Sequence, residues 1–237
     1  MRFMLTAPEN AKSGSKEIIK YITIAVLAKA NVVLFPSSYL PYYKNSAAFY
    51  TDKDLQKLPG LVAGTNVNVI TGVNFIDYKK QRRKTVITFN ESGIINLRHK
   101  IDLENHYIDK GYISGNDDFK PSVINGINIC TLECYEVLFI KNWKERIVTA
   151  SVGFGMKAIT DNYNCDYFNE WLTIVKSNCI LTKSWCFLSC NTQHKDFMTA
   201  AINPEGELIA LVKQLGFCVV DIDDEFVFSL PSKNPVT

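Results

Sequence analysis

Apolar residues along this 237-residue chain recur with two spacings, one typical of strands and one typical of helices. Short apolar runs that are rich in β-branched residues and bounded by Gly, Pro, Asn or Asp predict strands. We expect these strands at residues 2–7, 31–35, 67–75, 85–89, 94–98, 126–134, 147–152, 184–190, 198–202, 208–212 and 217–222. Helical spacing occurs at residues 16–30, 52–58 and 166–180. The chain therefore begins β-α-β and continues with more strands than helices.

Two turn sequences predict antiparallel hairpins within this pattern. Asn-Glu-Ser-Gly at 90–93 separates the fourth and fifth predicted strands, and Asn-Pro-Glu-Gly at 203–206 separates the ninth and tenth. Antiparallel pairs added to a β-α-β start favour a mixed α/β sandwich over a doubly wound open sheet. The charged segment 99–120 is predicted to be a long loop. We expect a single domain over residues 1–237, with an extended tail from about residue 229.

Composition narrows the class of protein. Hydrophobic residues make up 47% of the chain and charged residues 21%, which excludes a disordered chain, and the net charge of +2 gives no reason to expect nucleic acid as a partner. The basic run KKQRRK at 79–84 is interpreted as a solvated hairpin loop rather than a binding patch. The sequence contains neither a signal-peptide pattern nor an apolar run long enough to span a bilayer. Seven cysteines without the spacing of a disulfide scaffold indicate free thiols in a reducing compartment, so we expect a cytoplasmic protein.

The run GINICTLECYEVLF at 126–139 carries the main chemical candidate. Its strand ends on Cys134 and turns at once, which places the thiol at a sheet edge, where many α/β enzymes keep a nucleophile. A buried core thiol is the alternative interpretation, and Cys130 is a rival for the nucleophile position. Neighbouring strand residues point to opposite faces, so in a regular strand Glu133 and Cys134 cannot enter one pocket, whereas Glu136 follows the turn and can return.

Lys100, which closes a predicted strand, is a second candidate, with a solvated lysine as the alternative. Metal and cofactor chemistry are not indicated. Cys186 and Cys190 lack the CxxC pairs or clustered His of a zinc site. Gly153 and Gly155 lack the third glycine and following helix of a dinucleotide site. We therefore expect no metal and no organic cofactor.

Taken in order, these features resemble the nitrilase, or carbon-nitrogen hydrolase, superfamily. A buried strand leads through Pro-Ser in NVVLFPSSYLPYY at 31–43, and a hairpin strand ends in lysine in TFNESGIINLRHKIDL at 88–103. A later strand ends in Cys-Tyr plus an acid in ICTLECYEVLF at 129–139. The helix and strand of 171–191 and the hairpin AINPEGEL at 201–208 also resemble the family. The resemblance implies a four-layer α-β-β-α sandwich of the nitrilase type that forms a homodimer.

The resemblance also implies site residues. It places the cysteine nucleophile at Cys134 and the lysine that stabilises the tetrahedral intermediate at Lys100. The position of the general-base glutamate is occupied by Ser37, whose hydroxyl has far too low a proton affinity to act as a base near neutral pH. Asp109 is the nearest equivalent of a second glutamate that many members carry. The acids that could replace the missing base are Asp109, Glu133 and Glu136.

Two functions follow from this resemblance. In the first, the chain is an amidase- or nitrilase-type enzyme in which Cys134 attacks an amide or nitrile carbon and forms a thioester. A nearby ammonium could lower the pKa of the thiol from about 8.5 enough for a thiolate to act without a base. In the alternative, the chain is a catalytically degraded homologue that binds a small ligand or a partner subunit.

Overall fold

Twelve strands and four α-helices are present in the part of the chain that the computed structural model describes. That part comprises residues 1–8, 15–37, 39, 49–116, 120–145, 147–152, 167–190, 199–213 and 215–222. The strands are β1 (Arg2–Ala7), β2 (Val32–Leu34), β3 (Asn68–Ile76), β4 (Arg82–Asn90), β5 (Gly93–His99), β6 (Ser122–Ile124), β7 (Ile127–Glu133), β8 (Val148–Val152), β9 (Cys186–Ser189), β10 (Thr199–Ile202), β11 (Leu208–Val212) and β12 (Gly216–Asp221). The helices are α1 (Ser15–Leu27), α2 (Asp52–Leu55), α3 (Asn105–Ile108) and α4 (Tyr167–Thr182), and 3-10 turns form at Leu58–Val62, Cys134–Leu138 and Ile140–Asn142.

The strands form two six-stranded mixed sheets. The first has the order β12-β1-β2-β3-β4-β5, and the second has the order β11-β10-β9-β8-β7-β6. In each sheet three central strands are parallel, β1-β2-β3 in the first and β7-β8-β9 in the second, and the outer strands pair antiparallel. Both predicted hairpins are present, as β4-β5 and β10-β11.

Buried apolar side chains separate four layers. Alternate residues of the strands point to opposite faces, so each sheet supplies apolar side chains to two clusters. One cluster fills the space between the sheets, and its members include Phe3, Leu5, Leu34, Ile129 and Phe187. The outer face of the first sheet packs against α1, and the outer face of the second packs against α4. This arrangement confirms the predicted α-β-β-α sandwich.

The spacing of Ile18, Ile19, Ile22, Val26 and Leu27 predicts one buried face for α1, but only part of this set is buried. Ile18 and Ile22 are buried as expected, but Ile19, Val26 and Leu27 are 50%, 44% and 78% exposed. At about 100° per residue, Leu27 lies on the side of the helix opposite Ile18. Apolar residues at these positions therefore belong to the outer surface of the layer and not to its core.

The end of one helix and the presence of one strand also differ from the prediction. The helix α1 ends at Leu27 rather than near residue 30, because Lys29 adopts φ +54° and the N–H of Ala30 donates to the carbonyl of Ala25 at 2.8 Å. Strand β6 was not predicted, since its three residues are too few for a period to be recognised.

The segment predicted as a loop at 99–120 contains the short helix α3 and is attached to the first sheet. The N–H of Gly115 donates to the carbonyl of Lys100 at 2.8 Å, and the N–H of Ile113 donates to that of Arg82 at 2.9 Å. An added Cβ at Gly115 would lie 2.5 Å from the His99 carbonyl oxygen, so the close approach of the two segments depends on glycine. The segment is thereby fixed beside the end of β5.

The basic run at 79–84 is not wholly a solvated loop. Its first half forms the turn before β4, but β4 already begins at Arg82. Lys84 is only 3% exposed, so the interpretation as a solvated loop is wrong for this residue.

Four further expectations concern the cysteines, membrane-spanning helices, the tail and the number of domains. The described cysteines are free, as predicted: Cys130, Cys134, Cys179, Cys186, Cys190 and Cys218. Within the described ranges, no helix is long and apolar enough to cross a membrane. The tail predicted from about residue 229 lies outside the described residues, and one domain over residues 1–237 stays a prediction.

Candidate active site

Cys134 lies directly after the last residue of β7 and begins a 3-10 turn. It adopts φ +51° and is 4% exposed. A non-glycine residue in the left-handed region typically costs about 1–3 kcal/mol, and such strain gathers at functional sites. The conformation also ends the strand's alternation of faces at this residue.

The two residues at the end of β7 therefore share one neighbourhood, contrary to the expectation for a regular strand. Ile127 and Ile129 belong to the cluster between the sheets, and Glu133 continues this set of alternate positions. Cys134 packs with Tyr107, and neither residue belongs to the cluster between the sheets. The Tyr107 ring also lies 4.9 Å from the Lys84 ammonium, which pairs with Glu133 at 3.3 Å. Glu133 and Cys134 therefore border the same part of the site.

Lys100 directly follows β5 and is fully buried. Its ammonium lies 2.9 Å from Oε1 and 2.8 Å from Oε2 of Glu104, and 5.6 Å from the ring centroid of Tyr107. Burial lowers the pKa of Lys100, but the negative charges of Glu133 and Glu104 oppose burial and the pKa is raised. The ammonium therefore stays protonated beside the thiol.

Ser37 follows β2 and faces the end of β7 from the opposite sheet. Its hydroxyl donates to Oε1 of Glu133 at 2.8 Å. The ammonium of Lys84 lies 3.3 Å from the same oxygen, donates to Oδ1 of Asn74 at 3.1 Å and sits 4.9 Å from the centroid of the Tyr107 ring. Glu133 therefore accepts from two residues of the first sheet at one carboxylate oxygen.

The carboxylate of Glu133 is fully buried. Burial raises its pKa, but the charges of Lys84 and Lys100 and the hydrogen bond from Ser37 outweigh burial and lower the pKa below the ordinary value. The other carboxylate oxygen, Oε2, is also buried and has no hydrogen-bond partner among the residues that the structure describes. The site thus holds an ionised carboxylate with one oxygen bonded and one open.

Ser37 also has very little space on its other side. An added Cβ at Gly72 on β3 would lie 2.6 Å from Oγ, 2.9 Å from Cβ and 3.0 Å from Cα of Ser37. Real Cβ atoms essentially never approach that closely, so glycine at this position allows Ser37 to reach Glu133.

Glu136 is buried and fully hydrogen-bonded. Its carboxylate accepts from Arg98 at 2.6 and 2.9 Å, from the N–H of Ile101 at 2.8 Å and from the N–H of Glu133 at 2.9 Å. Asp109 is exposed at the end of α3, and no contact within the described ranges joins its carboxylate to the site. Neither acid is placed like Glu133.

The thiol of Cys134 is protonated at rest. Burial raises its pKa well above the ordinary value, the Lys100 ammonium lowers it, and the charges of Glu104 and Glu133 raise it again. The ammonium alone therefore does not produce a thiolate here, because burial and two carboxylates oppose it. Any reaction of this thiol requires a proton acceptor.

Sequence reasoning missed Lys84 and Glu104 as members of the site. Lys84 shares its strand face with Val86 and Thr88, so extending the period of two back to residue 84 would have indicated burial. Glu104 lies four residues after Lys100, a spacing that brings opposite charges together when a turn follows a strand. In the part of the chain that the structure describes, no group of His, Cys, Asp and Glu could hold a metal ion.

Comparison with known proteins gives the family. Residues 6–151 match the carbon-nitrogen hydrolase family, whereas no curated protein sequence matches the chain significantly. The fold is similar to a mutant of the amidase from Nesterenkonia sp. AN1 with acrylamide added at its active-site cysteine, at a TM-score of 0.76 and 12% identity over 97% of this chain and 96% of that one. It is also similar to Nit3 of Saccharomyces cerevisiae, with a TM-score of 0.73 and 13% identity over 97% and 92% of the two chains. A carbon-nitrogen hydrolase superfamily protein from Xanthomonas campestris, with an arsenic adduct in its active site, gives a TM-score of 0.74 and 13% identity over 95% and 91%.

The sequence identities to these structures are low, so the similarities show only that the fold is shared. The sequence match covers more than half of the chain, and it includes β2 to β7, Lys100 and Cys134. The chain belongs to the carbon-nitrogen hydrolase family.

Proposed function

We propose that this protein is an amidase-type hydrolase that cleaves the C–N bond of a small amide through a thioester on Cys134. The observation that carries the proposal is one buried cluster at the facing ends of the two sheets. It contains the strained Cys134, the protonated Lys100 and the carboxylates of Glu104 and Glu133. A nucleophile, a cation and ionised acids in one enclosed site are the groups that acyl transfer needs.

The chemistry assigns a separate task to each group. The sulfur of Cys134 attacks the amide carbon while its proton passes to a carboxylate of the site. Electrons of the C=O bond move to the oxygen, and the Lys100 ammonium stabilises that oxyanion. The C–N bond then breaks, the nitrogen takes up the proton and leaves as ammonia or an amine, and water cleaves the thioester to release the acid.

The alternative, a protein that only binds a ligand or partner, is favoured by one observation. Burial and neighbouring carboxylates raise the pKa of Cys134, and a protonated thiol is a poor nucleophile. The two functions differ in whether the site can remove that proton. They are therefore separable by measuring turnover.

Ammonia release from a panel of small aliphatic and aromatic amides tests the proposal. We expect turnover by the wild type and a loss of at least about 10³-fold in Cys134→Ala, since the nucleophile carries the covalent step. Acrylamide, which has added to the active-site cysteine of the Nesterenkonia amidase, serves as a probe of the thiol. Mass spectrometry should find Cys134 modified faster than the buried Cys130 and Cys190.

Two outcomes would refute the proposal that the protein is an amidase-type hydrolase. One is the absence of ammonia release from every amide together with alkylation of Cys134 no faster than that of Cys130. The other is turnover that persists unchanged in Cys134→Ala. A wild type that binds amides without turning them over would establish the alternative.

We also propose that the protein forms a homodimer through its outer helices. The exposed apolar residues Ile19, Val26 and Leu27 lie on α1, and Ile180 and Leu181 lie on α4. Such side chains favour association when they form a continuous surface. Because α1 and α4 lie on opposite outer layers, a twofold interface uses one of them. Light scattering after gel filtration should give twice the mass of the chain, and one of the two variants Leu27→Glu and Leu181→Glu should shift the protein toward the monomer.

A further inference from the structure

We infer that Glu133, the residue immediately before the nucleophile, is the general base of this site. Its carboxylate, at the end of β7, would take the role of the glutamate that the resemblance predicts after β2, at the position of Ser37. The inference rests on the proposed function, since a base requires a reacting thiol.

The carboxylate of Glu133 lies at about the distance from Ser37 that a longer side chain at position 37 would reach. A glutamate side chain continues two bonds beyond the position of a serine Oγ, which is a distance of about 2.5 Å. Oε1 of Glu133 lies 2.8 Å from Oγ of Ser37, so the two side chains together span this space. Residue 37 supplies a short donor, and the opposite sheet supplies the acid.

The hydrogen bonds of Glu133 divide its two oxygens between two tasks. Oε1 accepts from Ser37 and faces Lys84, which holds the carboxylate in place. Oε2 is buried without a hydrogen-bond partner among the described residues. An unsatisfied buried acceptor is unfavourable by roughly 1–3 kcal/mol, more for a charged group, so its retention calls for an explanation. A thiol or substrate proton that arrives during the reaction would satisfy it.

The surroundings keep this base ionised without removing its basicity. Two lysine ammoniums, Lys84 and Lys100, act on Glu133, and Lys100 is also neutralised by Glu104. Two lysines and two glutamates balance in charge, so the neutral thiol of Cys134 completes a site without net charge. Transfer of the thiol proton to Glu133 preserves that balance within the site.

The other nearby acids are already engaged. The Glu104 carboxylate is neutralised by the Lys100 ammonium, which donates to Oε1 and lies 2.8 Å from Oε2, although Oε2 accepts no hydrogen bond from a described residue. Glu136 accepts four hydrogen bonds, and Asp109 is exposed. Among the acids that the sequence singled out, Glu133 alone combines full burial, an open oxygen and proximity to Cys134.

The proposed proton transfers balance. Oε2 of Glu133 takes the thiol proton as the C–S bond forms, and gives that proton to the nitrogen as the C–N bond breaks. In the second half of the reaction, the oxygen of a water molecule attacks the thioester carbon while Oε2 of Glu133 takes a proton from that water. The C–S bond breaks, and Glu133 returns the proton to sulfur.

The test compares Glu133→Gln with the matched substitution Glu91→Gln, which alters an exposed glutamate that accepts from the N–H of Gly64. We expect kcat/KM for amide hydrolysis to fall about 10²–10⁴-fold in Glu133→Gln, the usual contribution of base catalysis, and to stay unchanged in Glu91→Gln. Ser37→Ala removes one hydrogen bond to the base but leaves its carboxylate, so its loss should be less than about tenfold.

A second variant guards against loss of the fold. Glu133→Gln leaves Lys84 buried without its ion pair, whereas Glu133→Gln combined with Lys84→Met removes both charges. The double variant should be as inactive as Glu133→Gln while it retains more of the wild-type thermal stability. If the folded double variant keeps turnover within threefold of that of Lys84→Met alone, Glu133 is not the base.

Two further readouts separate a base from a structural acid. Alkylation of Cys134 by acrylamide should slow at least tenfold in Glu133→Gln, because the thiol loses its proton acceptor. The fall of kcat/KM at acid pH should move to higher pH in Lys84→Met, because the pKa of Glu133 rises when that ammonium is removed. A wild type whose turnover requires Cys134 but is insensitive to Glu133 would overturn this inference and leave the proposed hydrolase intact.

Discussion

Glu136 connects the end of β5 to the turn that carries Cys134, and we predict that Glu136→Gln destabilises the protein strongly. The carboxylate accepts two hydrogen bonds from the Arg98 guanidinium and one from each of the backbone N–H groups of Ile101 and Glu133. Glutamine offers one carbonyl oxygen with two lone pairs, and its NH₂ group faces donors. At least two of the four donors are therefore left unsatisfied.

The magnitude follows from the burial of the pair. Arg98 is 8% exposed and Glu136 is fully buried, so solvent screening is weak. Breaking a buried ion pair by removing one partner costs about 3–5 kcal/mol. For a protein of this size each kcal/mol lowers the melting temperature by roughly 2–4 °C, which gives a decrease of about 6–20 °C.

Urea unfolding monitored by circular dichroism measures this free energy, with Glu91→Gln as the control for an exposed glutamate. A double-mutant cycle with Arg98→Met should give a coupling energy of at least about 1.5 kcal/mol, because both single variants break the same pair. A loss below about 1 kcal/mol in Glu136→Gln, or additive effects in the cycle, would refute the structural role. A stable but inactive Glu136→Gln would instead indicate that Glu136 takes part in the reaction.

Three other substitutions follow from the packing and charges of the site. Gly72→Ala should lower the free energy of unfolding by about 1–3 kcal/mol because its Cβ would meet Ser37. Gly60→Ala is the control and should be neutral, since nothing lies within 4 Å of its Cβ. Thermal unfolding of both variants measures the difference. Cys134→Gly should be more stable than Cys134→Ala by about 1 kcal/mol in the same assay, since glycine relieves the left-handed strain; equal stability would count against strain. Ser37→Glu places a second carboxyl against Glu133, so the pair shares a proton and its upper pKa is raised in the folded state. A raised carboxyl pKa destabilises the fold increasingly as pH rises above the unfolded value, so the melting-temperature deficit should be larger at about pH 8 than at about pH 5, and a deficit independent of pH would contradict this.

The layer architecture was predictable because it depends on patterns that repeat. The strand periods, the turn at 90–93 and the turn at 203–206 each specify local structure, and the order of motifs identified the family. Cys134 was singled out because a strand that ends on a cysteine can be recognised in the sequence, and its role stays a prediction. The mixed sandwich followed from these patterns, whereas the four α-β-β-α layers followed from the resemblance to the family.

The composition of the site was not predictable to the same degree, because it depends on contacts between distant segments. The bond between Ser37 and Glu133 joins residues 96 positions apart. The regular alternation of strands argued against a shared space for Glu133 and Cys134, and only the left-handed conformation of Cys134 overturns that argument. The burial of Lys84 was hidden in a run of basic residues that resembles a surface loop.

The adjacency of Glu133 and Cys134 has a mechanical consequence. Successive Cα atoms are held about 3.8 Å apart by covalent geometry, so a shift of one sheet against the other cannot separate these two residues. A base carried by the opposite sheet would instead move with every such displacement. In this protein, motion of one sheet against the other changes the contacts that Ser37 and Lys84 make with the Glu133 carboxylate. Glu133 and Cys134 stay covalently adjacent throughout that motion.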